Sequence, residues 1–147
     1  MKKLFFLFVM MIGLSVQAMA KDVITRDINQ LPQAARTTIQ KYFAKAKLSY
    51  IKIDKDFLEA ATYEAIFEDG TQIEFNSKGE WTEVDSKLNP VPDALIPATV
   101  KTYLKKDFPN IAVEKIERHR KGGYDVELKN DLSVEFDAQG NFLRLDD

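Results

Sequence analysis

The chain has 147 residues, 21 basic against 23 acidic side chains, one histidine and no cysteine. Without cysteine it can form no disulfide, no thiol nucleophile and no thiolate metal site. A net charge of −2 with no basic stripe or polybasic patch argues against nucleic acid and against an anionic lipid surface as partners.

The N-terminus reads as an address. Lys2 and Lys3 precede an apolar stretch from Leu4 to Val16, and Ala18-Met19-Ala20 supplies the small-x-small cleavage pattern of a signal peptide. The apolar run is shorter than the roughly 20 residues a membrane span needs, and nothing later in the chain is apolar enough to span. The expectation is a signal peptide over residues 1–20, cleavage near Ala20, and export to the periplasm or the medium without stable membrane insertion of the mature chain. Residues 21–147 suffice for one ordinary core.

Residues 21–29 read as an extended lead-in. A helix follows over residues 32–46, with Pro32 in its first turn and Ala35, Ile39, Tyr42, Phe43 and Ala46 on one face. Four alternating runs come next, at residues 49–54, 60–68, 71–75 and 80–84. Asp69-Gly70 between two of them predicts a two-residue type I′ hairpin. Ser77-Lys78-Gly79 predicts a three-residue hairpin loop with the glycine in the left-handed region. Asn89-Pro90 and Pro92 mark residues 86–92 as a linker. Val100, Tyr103, Leu104 and Phe108 then form a second helix face, which Pro109-Asn110 stops, and matching strands follow at residues 112–118, 124–129, 132–136 and 141–145. Asn130-Asp131 stands where Asp69-Gly70 stood, and Gly140 where Gly79 stood.

The segment from Tyr63 to Trp81 returns as Tyr124 to Phe142 at an offset of 61 residues with no gap. A repeat of this kind sets the building unit of a fold. The fold class expected is α+β: two tandem helix-plus-four-stranded antiparallel units, at residues 21–85 and 93–147, with the helices on one face of a continuous or nearly continuous sheet and the other face open. Alternation puts Tyr63, Ala65, Phe67, Ile73, Phe75, Tyr124, Val126, Leu128, Leu132, Val134 and Phe136 inward. Each large apolar side chain so buried contributes about 1.5–3 kcal/mol before entropy.

The duplicated pattern resembles the β-lactamase-inhibitor-like, PepSY-like family of exported bacterial proteins. The resemblance rests on the leader ending Ala18-Met19-Ala20, on the helix starts Leu31-Pro32 and Val91-Pro92, and on the hairpins Tyr63…Asp69-Gly70…Phe75…Gly79…Trp81 and Tyr124…Phe136…Gly140…Phe142. It covers nearly all of the mature chain. It implies helices packed on one face of an antiparallel sheet, and a binding or inhibitor-like role rather than catalysis. No functional residue of that family maps by motif onto this chain.

Candidate chemistry is sparse. His119 is the only histidine and sits among Arg118, Arg120 and Lys121, which suits an exposed loop better than a metal site or a triad. Asp54, Asp56 and Glu59 begin like a calcium loop, but Glu59 occupies the position where that loop needs glycine. Carboxylates on a flat wet face lack the unequal environments that an acid–base pair requires. Trp81 reads as core rather than as an exposed anchor, because an aromatic recurs at its repeat position. No catalytic residue, cofactor or metal ligand is therefore assigned. The expected function is a non-enzymatic periplasmic or secreted binding module that recognises a protein or peptide, with Tyr50, Lys52, Glu64, Ile66, Gln72, Glu74, Asp125, Glu127, Ser133 and Glu135 forming the partner-binding face. The alternative is a structural, self-associating cell-envelope protein without catalytic activity.

Overall fold

The structure, a computed structural model, describes residues 22–56 and 58–147. The leader assigned to residues 1–20 and its cleavage site lie outside the described residues.

Nine strands form one antiparallel sheet in sequential order. They are β1 (Val23–Thr25), β2 (Leu48–Asp54), β3 (Thr62–Phe67), β4 (Gln72–Phe75), β5 (Trp81–Asp85), β6 (Val113–Arg118), β7 (Tyr124–Leu128), β8 (Ser133–Phe136) and β9 (Phe142–Asp146). Helix α1 (Gln33–Tyr42) lies between β1 and β2, and α2 (Ala98–Asp107) between β5 and β6; short 3-10 turns at Ile28–Gln30 and Asp93–Leu95 lead towards each.

This arrangement overturns the expected fold class of two tandem helix-plus-four-stranded units. The sheet is single and continuous because β5 pairs with β6 through Glu83↔Glu117, Val84↔Ile116 and Asp85↔Lys115. A ninth strand, β1, pairs with β2 in the stretch expected to be a lead-in. Separate units would leave four strand edges unpaired; one sheet leaves two, and unpaired edges are a liability. The connection from β5 to α2 is also tied to the sheet. The Ser86 N–H donates to the Glu114 carbonyl (2.8 Å) and the Val91 N–H to the Val113 carbonyl (2.9 Å).

One hydrophobic core serves the whole sheet. Alternate strand residues Ile51, Ile53, Ala65, Phe67, Ile73, Phe75, Val84, Ile116, Val126, Val134 and Phe136 are buried with Ala35 and Ile39 of α1 and Val100 and Leu104 of α2. Trp81 is buried in this core too. Helix α1 ends earlier than its apolar spacing suggests: Phe43 leaves helical geometry at φ −128°, and its ring stacks on Phe67 at 6.0 Å.

The turns follow local chemistry, with one correction. The β3–β4 hairpin is not a two-residue type I′ turn. Phe67 and Thr71 close a three-residue loop, with Phe67 N–H to Thr71 O at 2.9 Å, and only Gly70 has positive φ (85°). Asp131 takes that left-handed place in the β7–β8 hairpin (φ 66°), a conformation Asp tolerates better than most residues.

Gly79 and Gly140 do more than turn the chain. Both have positive φ, 81° and 82°, and both are pressed against the start of a helix. A Cβ on Gly79 would meet Pro32 Cβ at 2.7 Å and Ala35 N at 2.9 Å; one on Gly140 would meet Thr99 Cβ at 2.9 Å. Gly70 has the same backbone strain but open space around it. We predict that Gly70→Ala costs about 1 kcal/mol from backbone strain alone. Gly79→Ala and Gly140→Ala should each cost clearly more, because the helix start must shift as well. Urea midpoints at constant slope measure the difference.

Candidate functional site

The pairing register sets the chemistry of the face opposite the core. Each open-face residue of these rows lies beside an open-face residue of the next strand, although four of the strand pairs carry a register shift elsewhere along their length. One row reads Lys52↔Glu64↔Glu74↔Glu83↔Glu117↔Asp125↔Glu135↔Arg144. The adjacent row reads Tyr50↔Ile66↔Gln72↔Asp85↔Lys115↔Glu127↔Ser133↔Asp146. All ten residues expected to form the partner face fall on these two rows.

The first row is a file of six carboxylates with a cation at each end. Directly opposite residues in antiparallel sheets have Cβ atoms about 4.5–5.5 Å apart, and like charges so placed are destabilising. Three members of the file have side-chain partners, two of them cations and one the His119 ring. Lys115 Nζ lies 3.0 Å from Glu83 Oε1, His119 Nε2 lies 2.8 Å from Asp125 Oδ2, and Arg144 Nε pairs with Glu135 Oε2. Among the described residues no ion pair reaches Glu64, Glu74 or Glu117. At one end, Lys52 pairs with Asp22 at 3.0 Å.

The electrostatics follow the register. Partial desolvation by neighbouring side chains, and then the Glu83 and Glu64 charges, push the Glu74 carboxyl above the usual carboxylate range, although the side chain remains exposed. Burial pulls Lys115 down, but its bond and ion pair with Glu83 outweigh this and its pKa is raised. His119 differs from the exposed loop histidine expected. It is half-buried in the β6–β7 connection and tied to Asp125.

Next to the β2–β5 part of the file is a recess of ≈ 630 Å³. Glu64, Glu74 and Asp54 line it with Lys52, Arg118 and Arg120, so its walls carry both signs of charge. Arg118 lies with its guanidinium 4.0 Å over the Trp81 ring, a cation–π interaction that closes this end of the core. Among the described residues no group of three or more His, Asp or Glu converges as a metal site would need.

Sequence reasoning missed Glu83, Asp85, Lys115, Glu117, Arg144 and Asp146, which complete the two rows. Their alternation in Trp81–Asp85 and Val113–Arg118 is visible in the sequence. What is not visible is that these strands are neighbours, so nothing in the sequence makes them one continuous surface.

The raised Glu74 carboxyl carries a pH signature. Its folded pKa lies above its unfolded one, so the folded state holds the proton more tightly. Its contribution is favourable at low pH and is lost as pH rises from the ordinary carboxylate range through the raised value. We predict that Glu74→Gln stabilises the fold at neutral pH by about 0.2–1 kcal/mol, the scale of a cross-strand pair. The gain should vanish in acid, where both forms are neutral. Thermal melts across pH check this.

A family described as "Putative beta-lactamase-inhibitor-like, PepSY-like" matches residues 61–144. The chain is also similar to three solved structures of Bacteroides proteins. One, from Bacteroides vulgatus, is a "putative periplasmic protein of unknown function"; it is 47% identical, with 86% of this chain and 100% of that one covered and a TM-score of 0.81. A "putative calcium-regulated periplasmic protein" from Bacteroides thetaiotaomicron is 38% identical, with 86% and 97% covered and a TM-score of 0.80. A second Bacteroides vulgatus protein, described as a "putative periplasmic protein", is 37% identical, with 86% and 98% covered and a TM-score of 0.80. No curated protein matches. With these periplasmic relatives, the chain is an exported protein, periplasmic or secreted. Among the described residues no helix is long and apolar enough to cross a membrane.

Proposed function

The chain belongs to the β-lactamase-inhibitor-like, PepSY-like family, and from that premise we propose that it is a non-enzymatic binding module whose open sheet face takes a cationic surface of a protein or peptide. The carboxylate file carries this reading. Six like charges in adjacent register cost folding energy and add nothing to the core. Arrangements that cost stability without packing gain cluster at functional sites. A partner bearing Lys or Arg would relieve the repulsion on docking. Glu74, the member of the file with a raised carboxyl, stands exposed on an open face rather than in an enclosed cleft; this supports binding over catalysis.

The mixed second row refines the fit. Tyr50 and Ile66 give an apolar flank beside Lys52 and Glu64, so the face offers an aromatic and an aliphatic side chain next to its charge. Tyr is among the residues that anchor interfaces. One relative is described as calcium-regulated. A divalent cation near the file would compete with a cationic partner, so capture is best compared with calcium and with chelator.

Glu74→Lys with Glu117→Lys turns the file into alternating charges: Glu64, Lys, Glu83, Lys, Asp125. We predict a protein that is more stable than the parent yet loses its partner. The experiment is crosslinking capture from the native envelope, alongside a thermal melt. Capture by the parent should also fall steeply with salt. Equal capture by parent and variant would reject the face.

A further inference from the structure

The two ends of the sheet are unlike. β1 is a three-residue strand, and a very short edge strand is a common way to blunt a sheet edge. β9 runs for five residues, all exposed, and among the described residues it pairs with β8 alone. Three of its residues are large and apolar: Phe142 is 42% exposed, Leu143 54% and Leu145 46%. A long apolar edge strand is what soluble proteins ordinarily avoid.

The same molecule shows what such a strand looks like when covered. β5 precedes β9 by the 61-residue repeat, so Trp81, Glu83, Val84 and Asp85 correspond to Phe142, Arg144, Leu145 and Asp146. The registers agree: Phe75↔Trp81 and Ile73↔Val84 on one side, Phe136↔Phe142 and Val134↔Leu145 on the other. Yet Trp81 is only 7% exposed and Val84 is fully buried. The difference is β6. It lies antiparallel along β5, sets Ile116 beside Val84 and Lys115 beside Asp85, and brings Arg118 over Trp81. β9 has no such neighbour among the described residues. Phe142 is stacked by Tyr103 at 4.9 Å, and no strand among the described residues pairs with the outer side of β9.

We propose that β9 is a docking edge for one added strand, an extended segment of a partner protein lying antiparallel to it. The segment would place a cation, an apolar residue and an acid in succession against Asp146, Leu145 and Arg144. β6 supplies that pattern to β5 as Lys115-Ile116-Glu117. The fit to β9 is better than the original, because the acid that meets Glu83 on β5 meets Arg144 on β9. Main-chain hydrogen bonds hold such a strand, and the alternate side chains select it. A second copy of this chain fits less well. Pairing β9 with itself over its full length centres on Arg144 and sets two guanidiniums opposite each other. The edge adjoins the acidic face at Arg144 and Asp146, whereas Leu145 pairs with Val134 on the core side of the strand, so a substitution at Leu145 tests the edge without touching the file.

The chain supplies its own probe. A synthetic peptide of residues 111–120 carries the β6 pattern. Titrated into the isotope-labelled protein, it should shift amide resonances of β8, β9 and Tyr103 and leave β2 to β4 unmoved. Leu145→Lys, at an exposed position, should weaken binding by about tenfold or more, as removing one apolar side chain from an interface would. Two peptides N-methylated on alternate amides separate strand addition from simple adhesion: one phase should bind and the other should not. The proposal is overturned if no resonance moves, if both methylated phases bind alike, or if the shifts map to β2 to β4 instead. It is likewise overturned if sedimentation shows a dimer that Leu145→Lys dissociates, which would give the edge to a second copy.

Discussion

Three residue pairs between β5 and β6 decide the architecture. Glu83↔Glu117, Val84↔Ile116 and Asp85↔Lys115 join what would otherwise be two sheets. The middle pair contributes two fully buried aliphatic side chains to the core. The outer two carry the open-face rows across the join. Lys115 makes this tolerable: its ion pair with Glu83 sits where two carboxylates meet across the strands. Remove the junction and the acidic file breaks in the middle and β5 becomes a bare edge like β9.

The two faces of the sheet divide labour. The helix-bearing face holds a single core of aliphatic and aromatic side chains from almost every strand and both helices. Its tight points are glycines at hairpin loops, where the backbone touches a helix start. The other face contributes little to stability and in part opposes it, since its central file sets like charges side by side. A fold held by one face is free to use the other for recognition, as antiparallel sheets with one solvated side allow. The edge strand β9 adds a third kind of surface, one of main-chain donors and acceptors flanked by apolar side chains.

Much of this is legible residue by residue. Every expected strand after the first helix is present within two residues of its expected bounds. Gly79 and Gly140 take the left-handed backbone that a three-residue loop requires, and Trp81 is buried as its repeat position suggests. The misses are of another sort. Asp69-Gly70 suggests a two-residue turn, but the hydrogen bond between Phe67 and Thr71 makes the loop longer by one. Val23–Thr25 carries too short a pattern to announce a strand and exists because β2 offers it an edge. His119 reads as an exposed loop residue and is half-buried against Asp125, a residue across the hairpin.

The sequence by itself determines which residues alternate between core and solvent, where hairpins turn and that the pattern is duplicated, because these are matters of period two and of local backbone strain. Only the tertiary structure decides that nine strands make one sheet, that six carboxylates stand in one file, and that β5 is covered while β9 is not. Pairing between strands distant in the chain is set by backbone hydrogen bonds and shared burial. Neither leaves a spacing in the sequence from which a neighbour could be read.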